Sequence, residues 1–122
     1  MKICGTVLLF LCLPSIEIAA GEFSVDASAK GFLTAHCMDC HQGEDAEAGL
    51  SLEQLSVELA DEATFEKWVA VVERVQAGEM PPKDAEQPDH AARERFVQSA
   101  SAPLLDHQRQ RYAEVGRVRG RR

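Results

Sequence analysis

At 122 residues the chain has room for about one small domain, and it is acidic: 20 Asp and Glu against 13 Lys and Arg give a formal net charge of −7. A body of that sign repels phosphate backbones, which argues against a nucleic-acid-binding class. Only 6% of residues are aromatic, with one Trp and one Tyr, so the side chains alone supply little material for a core in a domain of this size.

Met1 to Ala20 carries one positive charge at Lys2, an apolar run from Ile3 to Leu13, then Pro14 and small residues ending in Ala19-Ala20-Gly21. This is the pattern of a secretory signal peptide, with cleavage expected near Ala20. The apolar run is shorter than a transmembrane helix requires, and retention as an uncleaved anchor is the alternative. Cys12 follows Leu11 where a lipoprotein site wants a small residue, so no lipid anchor is read there. Cys4 and Cys12 then leave with the signal, and a domain over 21–108 keeps two cysteines. The expected location is exported, in the periplasm or an equivalent extracytoplasmic space.

A first helix is expected from about Asp26 to His36, bringing Phe32 and Leu33 to one side. Gly31 is expected to let the last helix approach closely near Phe96. Next comes Cys37-Met38-Asp39-Cys40-His41, the C-x-x-C-H spacing of c-type haem attachment. Two thiols three residues apart lie about one helical turn from each other, which suits thioether bonds to the two vinyl groups on one haem edge. The following residue then turns its imidazole under the iron. A disulfide, a thioredoxin-like redox pair and half of a zinc site are the rivals. No βαβ context supports the redox pair, and the only histidines beyond His41 are His90 and His107.

Gln42 to Gly49 is acidic, has glycines near both ends and reads as a surface loop. Leu50, Leu52 and Leu55 form a short apolar patch suited to covering a haem edge. Thr64 is the expected N-cap of the clearest helix, in which Phe65, Trp68, Val69, Val72 and Val75 recur at helical spacing. Gly78 is expected to end it in a left-handed cap. Met80 follows in Gly78-Glu79-Met80-Pro81-Pro82, where two prolines stiffen a non-helical strap that presents one thioether. Met80 is therefore the expected second axial ligand. Met38, inside the attachment loop, cannot reach the opposite face, and His36, His90 or His107 would make a bis-histidine site instead. Filling a core gap is the plain alternative for Met80. Asp84 to Gln87 is a polar connection. Pro88-Asp89 begins a final helix with Ala92, Phe96, Val97 and Ala100 on its apolar face, expected to run to about Ala102, where Pro103 restarts or kinks it.

Charge is unevenly spread. Residues 22 to 108 hold 18 acidic and 6 basic side chains, a net of −12, while residues 109 to 122 hold 6 arginines and one glutamate, a net of +5. The acidic body suits a basic redox partner. The arginine-rich end suits acidic proteins or anionic lipid headgroups, although a short run of this kind is more often simply solvated.

With these residues in view, the chain resembles a class I cytochrome c. Phe32-Leu33-Thr34-Ala35-His36, the Cys37 to His41 motif, Gly49-Leu50-Ser51-Leu52, and Trp68 through Met80-Pro81-Pro82 resemble the planctomycete-type cytochrome c domain over roughly residues 27 to 105. The resemblance implies an all-α, small cytochrome c-like domain wrapped around one covalent haem c. Cys37 and Cys40 would be the attachment points, and His41 and Met80 the axial ligands. In that family the domain usually opens a long exported protein whose further domains have no settled activity. Gly116 to Arg122 resembles the basic linker before the next domain, so 109–122 reads as the start of one; a complete small cytochrome with a basic tail is the alternative. An iron with both axial positions filled exchanges single electrons and binds no substrate. The expected function is thus electron transfer, to a partner protein or an adjacent domain, rather than catalysis. A haem enzyme or gas sensor with a labile sixth ligand, and a haem-stabilised docking domain, are the alternatives.

Overall fold

The computed structural model describes residues 24–119. The expected signal peptide, Met1 to Ala20 with Cys4 and Cys12, lies outside the described residues. Three α-helices, α1 (Ala27–His36), α2 (Glu62–Gln76) and α3 (His90–Arg119), are joined by loops, with one 3-10 turn at Glu47–Gly49. Among the described residues there is no strand, and no helix is long and apolar enough to cross a membrane. The all-α expectation holds.

Helix α1 begins where the sequence places it. Asp26 caps it by accepting from the Ala29 amide at 2.7 Å, relieving one of the amides that a helix start leaves without a partner. Ala29, Phe32 and Leu33 fall on one face at three- and four-residue steps and are buried. Phe32 stacks on Phe96 of α3, with ring centroids 4.5 Å apart. The two helices meet through these rings rather than through Gly31. A Cβ built on Gly31 would have nothing within 4 Å, so the close approach expected there does not occur; the rings hold the backbones apart.

The cap of α2 also differs from expectation. Asp61, not Thr64, is the N-cap, accepting from the Thr64 amide at 2.9 Å. Thr64 is the third residue of the helix and is buried. The Asp61 carboxylate one turn ahead takes that amide, and Thr64 is buried on the same helix as Trp68, Val72 and Val75. The far end closes as the sequence implies. Gly78 has φ +72, the Glu79 amide donates to the Arg74 carbonyl at 2.9 Å and the Gly78 amide to the Val75 carbonyl at 3.1 Å. This paired pattern turns the chain sharply off the helix and needs a residue at ease in the left-handed region.

Asp89 accepts from the Ala92 amide at 2.7 Å and starts α3, which buries Phe96, Ala100 and Leu104 at every fourth position against both other helices. The helix does not stop near Ala102. It continues through Pro103 to Arg119, with Leu104 buried just beyond the proline. Proline removes one amide from the ladder, and the burial of the adjacent Leu104 helps keep the helix going. The segment expected as a basic tail thus has helical backbone as far as Arg119. Within it, Arg111 pairs with Glu62 of α2 at 2.6 Å and lies over the Phe65 ring.

Candidate functional site

The Cys37 to His41 motif sits where α1 runs out. The Cys37 amide still bonds the Leu33 carbonyl at 2.9 Å, and the chain then makes one more turn in which the Cys40 and His41 amides both point to the Cys37 carbonyl, at 3.3 and 3.0 Å. The turn places both thiols and the imidazole along a single loop. Cys37 is half-buried against the core and Cys40 is exposed, both as free thiols. Burial, with the Cys40 thiol beside it, pushes the Cys37 thiol up to about 11. A redox-active dithiol is tuned the other way, towards an acidic thiol. Among the described residues no three His, Cys, Asp or Glu side chains gather into a metal site, so neither the redox pair nor the zinc rival gains support.

Residues 42–52 fold back over His41. Gly43 (φ +74), Ala48 (φ +55) and Gly49 (φ +68) supply left-handed turns that bring the chain round. The Glu47 amide then reaches the Cys40 carbonyl at 2.9 Å, and the Leu52 amide the His41 carbonyl at 2.8 Å. The same return sets the Leu50 carbonyl 3.2 Å from His41 Nδ1. A carbonyl only accepts, so Nδ1 carries the proton and donates, and the lone pair is left on Nε2. This is how proteins orient a histidine that ligates a metal. The Leu50 carbonyl was missed in the sequence, where Leu50 figured only as apolar cover; the glycines flanking the loop were the available signal.

Met80 lies on the strap that leaves α2 and is half-buried against the same core cluster as Cys37. Its amide bonds the Arg74 carbonyl at 3.2 Å, and the peptide to Pro81 is cis. Leu52 and Leu55 also pack on this core. With Leu33, Met38, Val57 and Trp68 they line an apolar cleft of about 410 Å3, which flanks the motif without being bounded by Cys40, His41 or Met80. Trp68 is fixed by its indole N–H, which donates to the Ser56 carbonyl at 2.8 Å. The other histidines are placed elsewhere: His36 packs on Phe32, His107 on Phe65, and His90 is exposed beside Glu94.

A family profile described as Planctomycete cytochrome C matches residues 37–84, from the first motif cysteine to just beyond Met80. Over that segment the chain is similar to this cytochrome family. No curated protein and no solved structure gives a significant match. The similarity points to haem binding and haem-based electron transfer in general. The donor set fits a haem, because the chain offers two thiols on one turn, an imidazole with Nε2 left as an acceptor, and a thioether on a separate strap packed on the same core.

Proposed function

We propose that this cytochrome domain is a one-electron relay carrying a single covalent haem, exported from the cytoplasm. Cys37 and Cys40 would hold the haem covalently through their sulfurs, and His41 Nε2 and the Met80 thioether would ligate its iron. When bound, haem supplies an iron that accepts and returns one electron. The rest falls to the chain: the Leu50 carbonyl orients His41 and raises the donor strength of Nε2, and Met80 favours the ferrous form. The observation that carries this reading is the hydrogen bond from His41 Nδ1 to the Leu50 carbonyl.

The acidic residues around the motif, Asp39, Glu44, Asp45, Glu47 and Glu53, are all exposed, which suits a basic redox partner or adjoining domain. The test is an absorption spectrum of the exported, haem-loaded protein. The ferric form is expected to show the weak far-red band of methionine on iron, lost in Met80→Ala, and haem is expected to stay attached after denaturation. Carbon monoxide binding by the unmodified ferrous protein would favour an open site, and haem released on denaturation would sink covalent attachment.

A further inference from the structure

The Met80 strap is poor in its own donors. Pro81 and Pro82 have no amide, while the carbonyls of Met80, Pro81 and Pro82 all need partners. Two side chains from further along the chain supply them, beside the Ala85 amide, which bonds the Pro82 carbonyl at 3.0 Å. Arg93, on the first turn of α3, places Nη1 2.8 Å from the Val75 carbonyl and 2.9 Å from the Met80 carbonyl, so one nitrogen bridges the last turn of α2 and the strap. Its other terminal nitrogen reaches Gln87 Oε1 at 3.3 Å. The amide of Gln87 then donates to the carbonyls of Pro82 at 2.7 Å, Ala85 at 3.1 Å and Pro81 at 3.3 Å.

We propose that Arg93, with Gln87 locked to it, is a positioning residue that holds Met80 in place for the iron. It acts through the backbone and touches neither cofactor nor thioether, and it rests on the reading of Met80 as an axial ligand. The chemistry suits arginine. A guanidinium stays charged, has a rigid planar fork of donors and bridges acceptors on separate segments. It also lies at the carbonyl end of α2, where a cation is favoured. Gln87 extends the grip to the two residues that proline deprives of any amide. Removing the guanidinium leaves α2 ending as before, since Gly78 and Glu79 still close it, but unties the strap from α3.

The measurable consequence is competition. An external ligand reaches the sixth position of the ferric iron only when Met80 has left, so its apparent affinity scales with the fraction of molecules in that state. Loss of charge-assisted bonds of this kind changes such an equilibrium by about 10- to 100-fold. Arg93→Ala is therefore expected to tighten imidazole binding to the haem-loaded ferric protein by about that factor and to weaken the far-red methionine band. Gln87→Ala should shift both in the same direction by less, and Arg93→Lys should fall between wild type and Arg93→Ala. A second readout does not depend on the iron spectrum: amide hydrogen exchange at Glu79 and Met80 of the haem-loaded protein should quicken in Arg93→Ala. Arg111→Gln, which cuts a different tie between α3 and α2, serves as the control for general loosening and is expected to leave imidazole affinity within roughly twofold of wild type.

If wild type lacks the far-red band, the axial reading of Met80 falls and takes this proposal with it. If wild type shows the band and Arg93→Ala matches it in band intensity and imidazole affinity, the positioning role alone is overturned. An Arg111→Gln shift as large as that of Arg93→Ala would also overturn it, since the effect would then be general.

Discussion

Asp26 serves two neighbours with one carboxylate. One oxygen accepts the Ala29 amide at the start of α1 and the other accepts the Ser99 hydroxyl of α3. These bonds, Ser99's foremost, hold its carboxyl below the usual 3.8. Asp61 is held low in the same way by Thr64, through its hydroxyl and its amide. A folded-state value below the unfolded one means that the stabilisation is present above the unfolded value and is lost as pH falls through the folded one. Urea unfolding should accordingly show wild type losing stability as pH drops below about 4, with a shallower loss in Asp26→Asn, which has no charge to neutralise. Equal slopes for the two proteins would show that this carboxylate has no part in the acid response. Asp26 was readable as a helix start from its position before Ala27. The Ser99 bond was not, because the two residues are 73 positions apart and nothing local in either segment refers to the other.

At the scale of elements, the helices follow from spacing and the errors follow from neighbours. The faces of α1 and α2 appear in the three- and four-residue steps of Phe32, Leu33, Trp68, Val72 and Val75. The cap of α2 was misassigned because Asp61 and Thr64 both have capping side chains, and only the packing of Thr64 against Trp68's face decides between them. Gly31 was misassigned because a small residue beside an aromatic one suggests close contact, whereas Phe32 on Phe96 sets the separation. Gly31 is thus an exposed helical glycine with open space at its Cβ position. Gly31→Ala should raise stability by about 0.5–1 kcal/mol, since alanine lowers the entropy of the unfolded helix segment at no steric cost. Phe96→Ala should lower it by about 3–5 kcal/mol, because Phe96 is among the most buried side chains and stacks on Phe32. Denaturant titration measures both; a destabilised Gly31→Ala would restore the close approach that the structure removes.

For the whole molecule, charge and continuity matter most. The body from 22 to 108 carries a net of −12, and the acidic residues near the Cys37 to His41 motif are exposed. Electron exchange with a small basic redox protein should therefore slow by about tenfold or more between low and roughly 0.5 M ionic strength, as screening shortens the reach of these charges. Stopped-flow rates that do not respond to salt would remove electrostatic steering from the account. The helical backbone of α3 past residue 108, with Arg111 on Glu62 and Phe65, ties part of the basic segment to α2.

Sequence alone determined what is encoded within a few residues: the Cys37 to His41 motif, the proline-stiffened Met80 strap, the helical faces, the left-handed cap at Gly78 and the acidic body. Each depends on covalent spacing or backbone restriction, which neighbours in the chain dictate. Tertiary structure decided the rest. It set the Leu50 carbonyl on His41, the Asp61 cap, the course of α3 through Pro103, and the grip of Arg93 and Gln87 on the strap. Those contacts join segments brought together by burial of Phe32, Trp68, Val75 and Phe96 in one core. A hydrogen bond between such segments exists only once that core has formed.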